Sequence, residues 1–159
     1  VKFRVGIGFD IHRLESGIPL LLGGVRIPHD RGLFGHSDGD ALAHAVTDAL
    51  LGACGADNIG KMFPDTDPQL KGASSLRFVS EAAAVVHAKG FHIANVDANI
   101  LAERPKLAPF FDAMREKLAA AMDIPASDVH VKAKTMEGLG DIGTERAIAA
   151  EAVALIYKD

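Results

Sequence analysis

Gly8-Phe9-Asp10-Ile11-His12 sets a carboxylate and an imidazole two residues apart, and a second polar cluster follows in His36-Ser37-Asp38-Gly39-Asp40 with His44. If Val5–His12 is a strand, Asp10 and His12 point to the same face. A carboxylate beside an imidazole makes two-thirds of a zinc site, so a third ligand must arrive from elsewhere in the chain. His44, on a helix that follows, is the natural candidate. Three protein ligands leave one tetrahedral position open to substrate, the arrangement of a catalytic zinc. The plainer alternative is a surface His12, with Asp40 and Asp48 solvating a helix. Against it, Asp10-Ile11-His12 follows a glycine-spaced strand, and the second cluster has a short loop-to-helix spacing that gathers polar groups.

Three further segments carry chemistry-bearing residues. His36–Asp40 lies just before a helix start, where unpaired N–H groups and the helix dipole favour an anion such as phosphate. Simple N-capping by Ser37 or Asp38 is the competing explanation, but it leaves His36 without a task. Lys132-Ala133-Lys134-Thr135-Met136-Glu137 runs off a strand into Gly138-Leu139-Gly140. Lysine and threonine bind phosphate oxygens, and a carboxylate beside phosphates signals Mg²⁺; alone, the run also reads as solvated lysines at a strand end. Ala102–Ala108 reads as a strand-to-helix turn until other context is added. The chain lacks a Gly-x-Ser-x-Gly elbow, a phosphate-binding Walker loop, a dinucleotide fingerprint and a paired Cys-x-x-Cys.

The elements that must position these groups are legible from periodicity. Lys2–Asp10 predicts a strand, and Leu20–Leu22 with Val25–Ile27 a hairpin turned at Gly23-Gly24. Gly32–Gly39 reads as a loop. A helix follows from about Asp40 to Leu51, with Leu42, Ala45, Val46, Ala49 and Leu50 on one face and Asp40, His44 and Asp48 as a polar stripe on the other. Gly52–Gly72 is a long irregular stretch, which is more often functional than filler. A helix capped by Ser74 or Ser75 stops at Lys89-Gly90. Val96–Glu103 alternates as a strand, Pro109 opens a helix to about Met122, and Val129–Lys134 is a strand. Ala147–Tyr157 is ambiguous: alanine favours helix, yet Ile148, Ala150, Ala152, Ala154 and Ile156 fit period two.

The expected fold is a two-layer α/β (α+β) sandwich over residues 1–159 as a single domain, with helices on one face of a mostly four-stranded sheet. The opposite face would need covering, which suggests an oligomer. The chain has 159 residues, a net charge of −4 and no lysine or arginine run, which argues against nucleic acid or a membrane as partner. An anionic ligand must then be held by local charges. The lone Cys54 rules out an intrachain disulfide and fits a reducing compartment, as a small core residue rather than a nucleophile.

Five segments in order resemble the 2-C-methyl-D-erythritol 2,4-cyclodiphosphate synthase family of the non-mevalonate isoprenoid pathway: the Gly-x-Gly-x-Asp-x-His opening of Gly6–His12, His36–Asp40 with His44, Phe63–Pro68, Ala102–Lys106, and Lys132–Glu137. The resemblance covers essentially the whole chain. It implies a lyase that is a homotrimer, with active sites between neighbouring subunits. Asp10, His12 and His44 would hold one Zn²⁺ per subunit, and Glu137 a Mg²⁺ or Mn²⁺ between the α- and β-phosphates of the substrate, 4-diphosphocytidyl-2-C-methyl-D-erythritol 2-phosphate. Its 2-phosphate would attack the β-phosphorus and expel CMP, with His36 and Thr135 stabilising the transition state. Ser37, with Asp10, Ile11 and His12, would contact substrate. Phe63, Pro64, Asp65, Thr66 and Asp67 would wall the methylerythritol group. Ala102, Glu103, Arg104, Pro105, Lys106, Leu107 and Ala108, with Lys134 and Thr135, would form the cytosine pocket of the adjacent subunit, and Met136 would also contact substrate. Two divalent cations with Lys106, Lys132 and Lys134 would hold a polyanion on an acidic protein.

Two departures from the family pattern stand out. Asn58-Ile59-Gly60 replaces Asp-Ile-Gly, keeping an acceptor for a sugar hydroxyl but losing the charge. Thr144 stands where an arginine usually does, which puts anion binding along a trimer axis in doubt. The implied location is the cytoplasm of a bacterium, or a plastid. The rival activities are a zinc phosphohydrolase that activates water with the same triad, and a trimeric binding protein whose zinc is structural.

Overall fold

The computed structural model describes residues 1–159. Its strands are β1 (Lys2–Ser16), β2 (Leu20–Leu22), β3 (Val25–Ile27), β4 (Arg31–Leu33), β5 (His92–Leu101), β6 (Val129–Lys134) and β7 (Ala147–Lys158), and its helices are α1 (Ala41–Ala53), α2 (Ile59–Met62), α3 (Ser75–Ala88), α4 (Phe111–Met122) and α5 (Gly140–Gly143). The main sheet has the order β4-β1-β7-β5-β6, while β2 and β3 form a separate hairpin. Only β5 and β6 are parallel; the other pairs are antiparallel. No helix is long and apolar enough to cross a membrane.

The sheet has five strands, not the four expected. The extra strand, β4, falls within the segment read as a glycine loop. It exists because β1 continues to Ser16, and its far end pairs with β4 at Leu14↔Leu33 and Ser16↔Arg31. The alanine-rich C-terminus is a strand, since β7 bonds to β1 on one side and β5 on the other, and two neighbours outweigh a weak helical propensity. The irregular stretch after α1 contains α2 and a 3₁₀ turn at Pro68–Leu70. Pro109 sits in a 3₁₀ turn, and α4 itself begins at Phe111.

Residues of β1 alternate strictly. Gly6 and Gly8 are buried, whereas Phe3, Val5, Ile7, Phe9 and Ile11 lie on the open face of the sheet. The glycines are required because α1 rests directly on the strand. A Cβ at Gly8 would lie 1.9 Å from the Ala45 carbonyl oxygen, and one at Gly6 would lie 2.0 Å from that of Ala49. Close approach is completed on the helix side by small residues, Ala45, Ala49 and Ala53, all fully buried. Asp10 and His12 continue the glycine face, so β1 delivers them beneath the same helix.

The expected polar stripe of α1 is not a solvent face. Asp40 is fully buried and caps the helix, accepting from Ala43 N–H at 2.9 Å. Its two oxygens also take the N–H groups of Gly23 (2.9 Å) and Gly24 (2.7 Å) in the β2–β3 turn. One carboxylate thus joins the hairpin to α1, and the cap is Asp40 rather than Ser37 or Asp38. Asp48 accepts from Ile59 N–H at 2.7 Å and fixes the start of α2. Cys54 is a buried free thiol.

Candidate active site

Asp10, His12 and His44 converge at one point, with their candidate ligand atoms all within 4.8 Å of one another. Asp10 Oδ2 is 2.8 Å from His12 Nδ1 and 3.1 Å from His44 Nδ1. The His12 nitrogen is close to that oxygen but out of line for an N–H to reach it, so this buried atom has no hydrogen-bond partner. A buried ring nitrogen that has no partner and lies beside a carboxylate is what a cation needs. Donors 2.0–2.2 Å from a tetrahedral zinc sit about 3.3–3.6 Å apart, so the set fits zinc after small side-chain shifts. Gly35 completes it: a Cβ there would lie 3.0 Å from two atoms of the His12 ring.

Burial works to raise the Asp10 carboxyl, but contacts and charge from the His12 and His44 rings outweigh it and hold Asp10 below its ordinary range. Burial works to lower His44, but its bond to Asp10 and the charges of Asp10, Asp40 and Asp38 push it up. Burial raises Asp40, against the pull of its backbone N–H donors. The triad therefore attracts positive charge, whether proton or metal.

Behind His44 lies a network that joins the expected Ser37 to two residues outside the expected site, Ser75 and Asp38. His44 Nε2 is 2.7 Å from Ser75 Oγ and 3.1 Å from Ser37 Oγ. Ser75 in turn is 2.5 Å from Asp38 Oδ1, and its N–H donates to Asp38 Oδ2 at 2.9 Å. Asp38 therefore serves the start of α3, and it also holds the N–H of Asp40, the cap of α1, at 3.1 Å. Asp38 and Ser75 are 37 residues apart, and no local spacing signals their meeting.

The triad opens into a cavity of about 530 Å³ whose lining includes Asp10, Ile11, His12, His36, Ser37, His44, Ile59, Gly60, Phe63 and Asp65. Phe63 stacks on Phe78 at 4.4 Å, and His44 lies 6.0 Å from Phe78, which gives the cavity an aromatic wall. His36 Nε2 donates to the Asp67 carbonyl at 2.9 Å. Asn58, Pro64, Thr66 and Asp67 do not line the cavity. The Asn58 side-chain oxygen is already engaged, capping α2 through Lys61 N–H at 3.0 Å.

The other expected site residues assemble elsewhere. None of Ala102–Ala108 or Lys134–Glu137 lines this cavity. The register runs Ile11↔Ala149 and Leu101↔Ala149, then Leu101↔Lys134. These segments thus leave the sheet level with the triad but two and three strands away, about 10–15 Å. They hold one another: Ala102 N–H donates to Lys134 O at 3.0 Å, and Met136 N–H to Glu103 Oε2 at 3.1 Å. Ala102 and Leu107 are buried, and Arg104 pairs with Glu145 at 3.5 Å. Lys132 pairs with Asp97. Glu137 is exposed and has a left-handed φ of 54°, a conformation that costs about 1 kcal/mol or more for a non-glycine residue and clusters at functional sites. Thr144 donates to Gly140 O at 2.8 Å within its own turn.

The YgbB family profile matches residues 3–157. The 2-C-methyl-D-erythritol 2,4-cyclodiphosphate synthase of Burkholderia mallei (strain SAVP1) is 52% identical over 159 residues, 100% of this chain and 98% of the relative. The structure of the bifunctional IspDF from Campylobacter jejuni matches with a TM-score of 0.95 and 40% identity, over 99% of this chain and 43% of that longer one. IspF of Plasmodium falciparum, solved as a CDP complex, matches with a TM-score of 0.86 and 34% identity, over 99% of this chain and 97% of that one. The chain belongs to the YgbB family, that of the 2-C-methyl-D-erythritol 2,4-cyclodiphosphate synthases.

Proposed function

We propose that the protein converts 4-diphosphocytidyl-2-C-methyl-D-erythritol 2-phosphate to 2-C-methyl-D-erythritol 2,4-cyclodiphosphate and CMP, as a step of non-mevalonate isoprenoid synthesis. The observation that carries the reading is the convergence of Asp10, His12 and His44 on a partly apolar cavity in a chain of this family. Asp10, His12 and His44 would hold zinc and Glu137 a Mg²⁺ or Mn²⁺, ions that neutralise phosphoryl oxygens when bound. An oxygen of the 2-phosphate forms a bond to the β-phosphorus, the bond from that phosphorus to the α-phosphate oxygen breaks, and CMP leaves with the electron pair. The nucleophile is already an anion, so no general base is needed. Positioning and charge neutralisation carry the rate.

The chain's residues divide this work. Ser37, Ile11 and His36 line the cavity beside the triad and contact the phosphates, His36 being held by the Asp67 carbonyl. Phe63 and Asp65, with Ile59 and Gly60, enclose the methylerythritol group, and the loop carrying Asn58, Pro64, Thr66 and Asp67 supports them. Ala102–Ala108 with Lys134, Thr135 and Met136 receive the cytidine, and Thr135 stabilises the transferred phosphoryl group.

Within one chain the two groups of residues stand apart, which supports a site completed by a neighbouring subunit. The open sheet face supports the same reading, since Phe3, Val5, Ile7 and Phe9 are more than half exposed in a row. Such a stripe marks a contact surface; a homotrimer that buries three of these faces fits it. A single domain over residues 1–159, acting in the cytoplasm, accords with one contiguous core and a buried, unpaired cysteine. Incubation with the cytidyl substrate and Mg²⁺ tests the reading. CMP with the cyclic diphosphate is the expected product pair; linear phosphates alone would overturn cyclisation in favour of a hydrolase.

A further inference from the structure

We propose that Asp38 and Ser75 act as a positioning relay that fixes the protonation pattern of the His44 ring, with hydrogen on Nε2 and a bare lone pair on Nδ1. The inference rests on the metal reading of Asp10, His12 and His44 and adds two residues to it.

The protons available fix the direction of each hydrogen bond in the relay. The Ser75 hydroxyl carries one hydrogen and has two short neighbours, Asp38 Oδ1 at 2.5 Å and His44 Nε2 at 2.7 Å. Asp38 is already an acceptor on both oxygens, taking Ser75 N–H at 2.9 Å and Asp40 N–H at 3.1 Å. A carboxylate can only accept, so the hydroxyl hydrogen goes to Asp38. The Ser75 oxygen must then accept from His44, which requires hydrogen on Nε2. That leaves the Nδ1 lone pair facing Asp10 Oδ2 at 3.1 Å. Two lone pairs at that distance repel unless a cation lies between them, so the relay holds a geometry that a metal ion satisfies. The opposite chain of donors, running from a protonated Asp38 through Ser75 to His44, would put hydrogen on Nδ1 and close the site to metal.

Placement favours rigidity. Ser75 is fully buried at the first position of α3, and its own N–H anchors Asp38. Three separate elements are therefore clamped on one ring: the loop before α1, α1 itself and the start of α3. A ligand histidine whose second nitrogen is held in this way keeps its orientation and basicity. Because Ser75 takes the Nε2 hydrogen, Ser37, 3.1 Å away, has its hydroxyl free to turn to the cavity.

Two measurements test the relay. The ¹⁵N chemical shifts of the His44 ring in the zinc-loaded protein should show a protonated Nε2 and a metal-bound Nδ1; the reverse assignment would overturn the relay. In Ser75→Ala, which keeps the backbone N–H to Asp38, zinc affinity measured by chelator competition should weaken about 10- to 100-fold. Zinc binding within twofold of the parent would also overturn it. A purely structural serine would lower the melting temperature of the metal-free protein yet leave ring protonation unchanged. If the unaltered protein binds no zinc, the triad reading itself fails. If it binds zinc through Nε2, only the relay fails.

Discussion

Substituting Gly8 with alanine strikes the contact on which the site is built. The new Cβ would lie 1.9 Å from the Ala45 carbonyl oxygen, 2.8 Å from Ala49 N and 2.9 Å from Ala45 C. All three are backbone atoms of α1, so no side chain can turn aside. Restoring ordinary contact moves the helix out by roughly 1.3–1.5 Å, enough to forfeit much of the dispersion across that interface. Leu42, Val46 and Leu50, fully buried on α1, lose packing at the same time. Overpacking a core costs about 1–3 kcal/mol, and a rigid obstacle puts Gly8→Ala near 3 kcal/mol, on the order of 100-fold in the folding equilibrium. The same retreat carries His44 away from Asp10 and His12. Urea unfolding and chelator competition for zinc read the two effects. Gly52→Ala is the control: it lies on the same helix, its added Cβ would meet only the Ile7 carbonyl oxygen at 3.8 Å and Gly6 Cα at 4.0 Å, and it should stabilise by about 0.5–1 kcal/mol. An unfolding midpoint and zinc affinity for Gly8→Ala equal to the parent's would refute the close packing of α1 on β1.

His44→Ala should abolish zinc retention and turnover while sedimentation shows the assembly unchanged; dissociation would instead favour a structural zinc. Glu137→Gln should depress Mg²⁺-dependent turnover yet leave zinc content intact, and metal analysis showing zinc loss would contradict its assignment. Asp40→Ala deprives three N–H groups of their acceptor, those of Gly23 and Ala43, which are buried, and that of Gly24, which is part-buried. It should cost about 3 kcal/mol or more, a cap of about 1 plus two stranded donors of about 1–3 each. A loss under 1 kcal/mol by denaturant titration would show that water or a shifted turn replaces the carboxylate.

The parts of the site that could be read from sequence are those governed by local period. Asp10 and His12 share a face because strand residues alternate, whereas the approach of α1 to Gly6 and Gly8 appears only in the folded chain. Val96, Ala98 and Ile100 alternate into the core as expected. What escaped reading was set by partners distant in sequence. Arg31-Gly32-Leu33 carries no pattern of its own and becomes β4 only because the end of β1 lies beside it. Asp40 looks like a surface charge on a helical wheel, yet the β2–β3 turn buries it. Asp38 and Ser75 meet only in the folded chain. The division of the expected site residues between two places also has no local signature, because it follows from the width of the sheet between β1 and β6.

Subunit mixing tests most directly the claim that one catalytic site joins the metal triad of one chain to the Thr135 and Glu137 segment of the next. His44→Ala chains and Thr135→Ala/Glu137→Gln chains should each lack turnover. After a 1:1 exchange in a closed ring, about one site in four would combine two intact halves. Recovery of about a quarter of the parent turnover is the expected result. No recovery, with exchanged subunits verified by mass spectrometry, would contradict it.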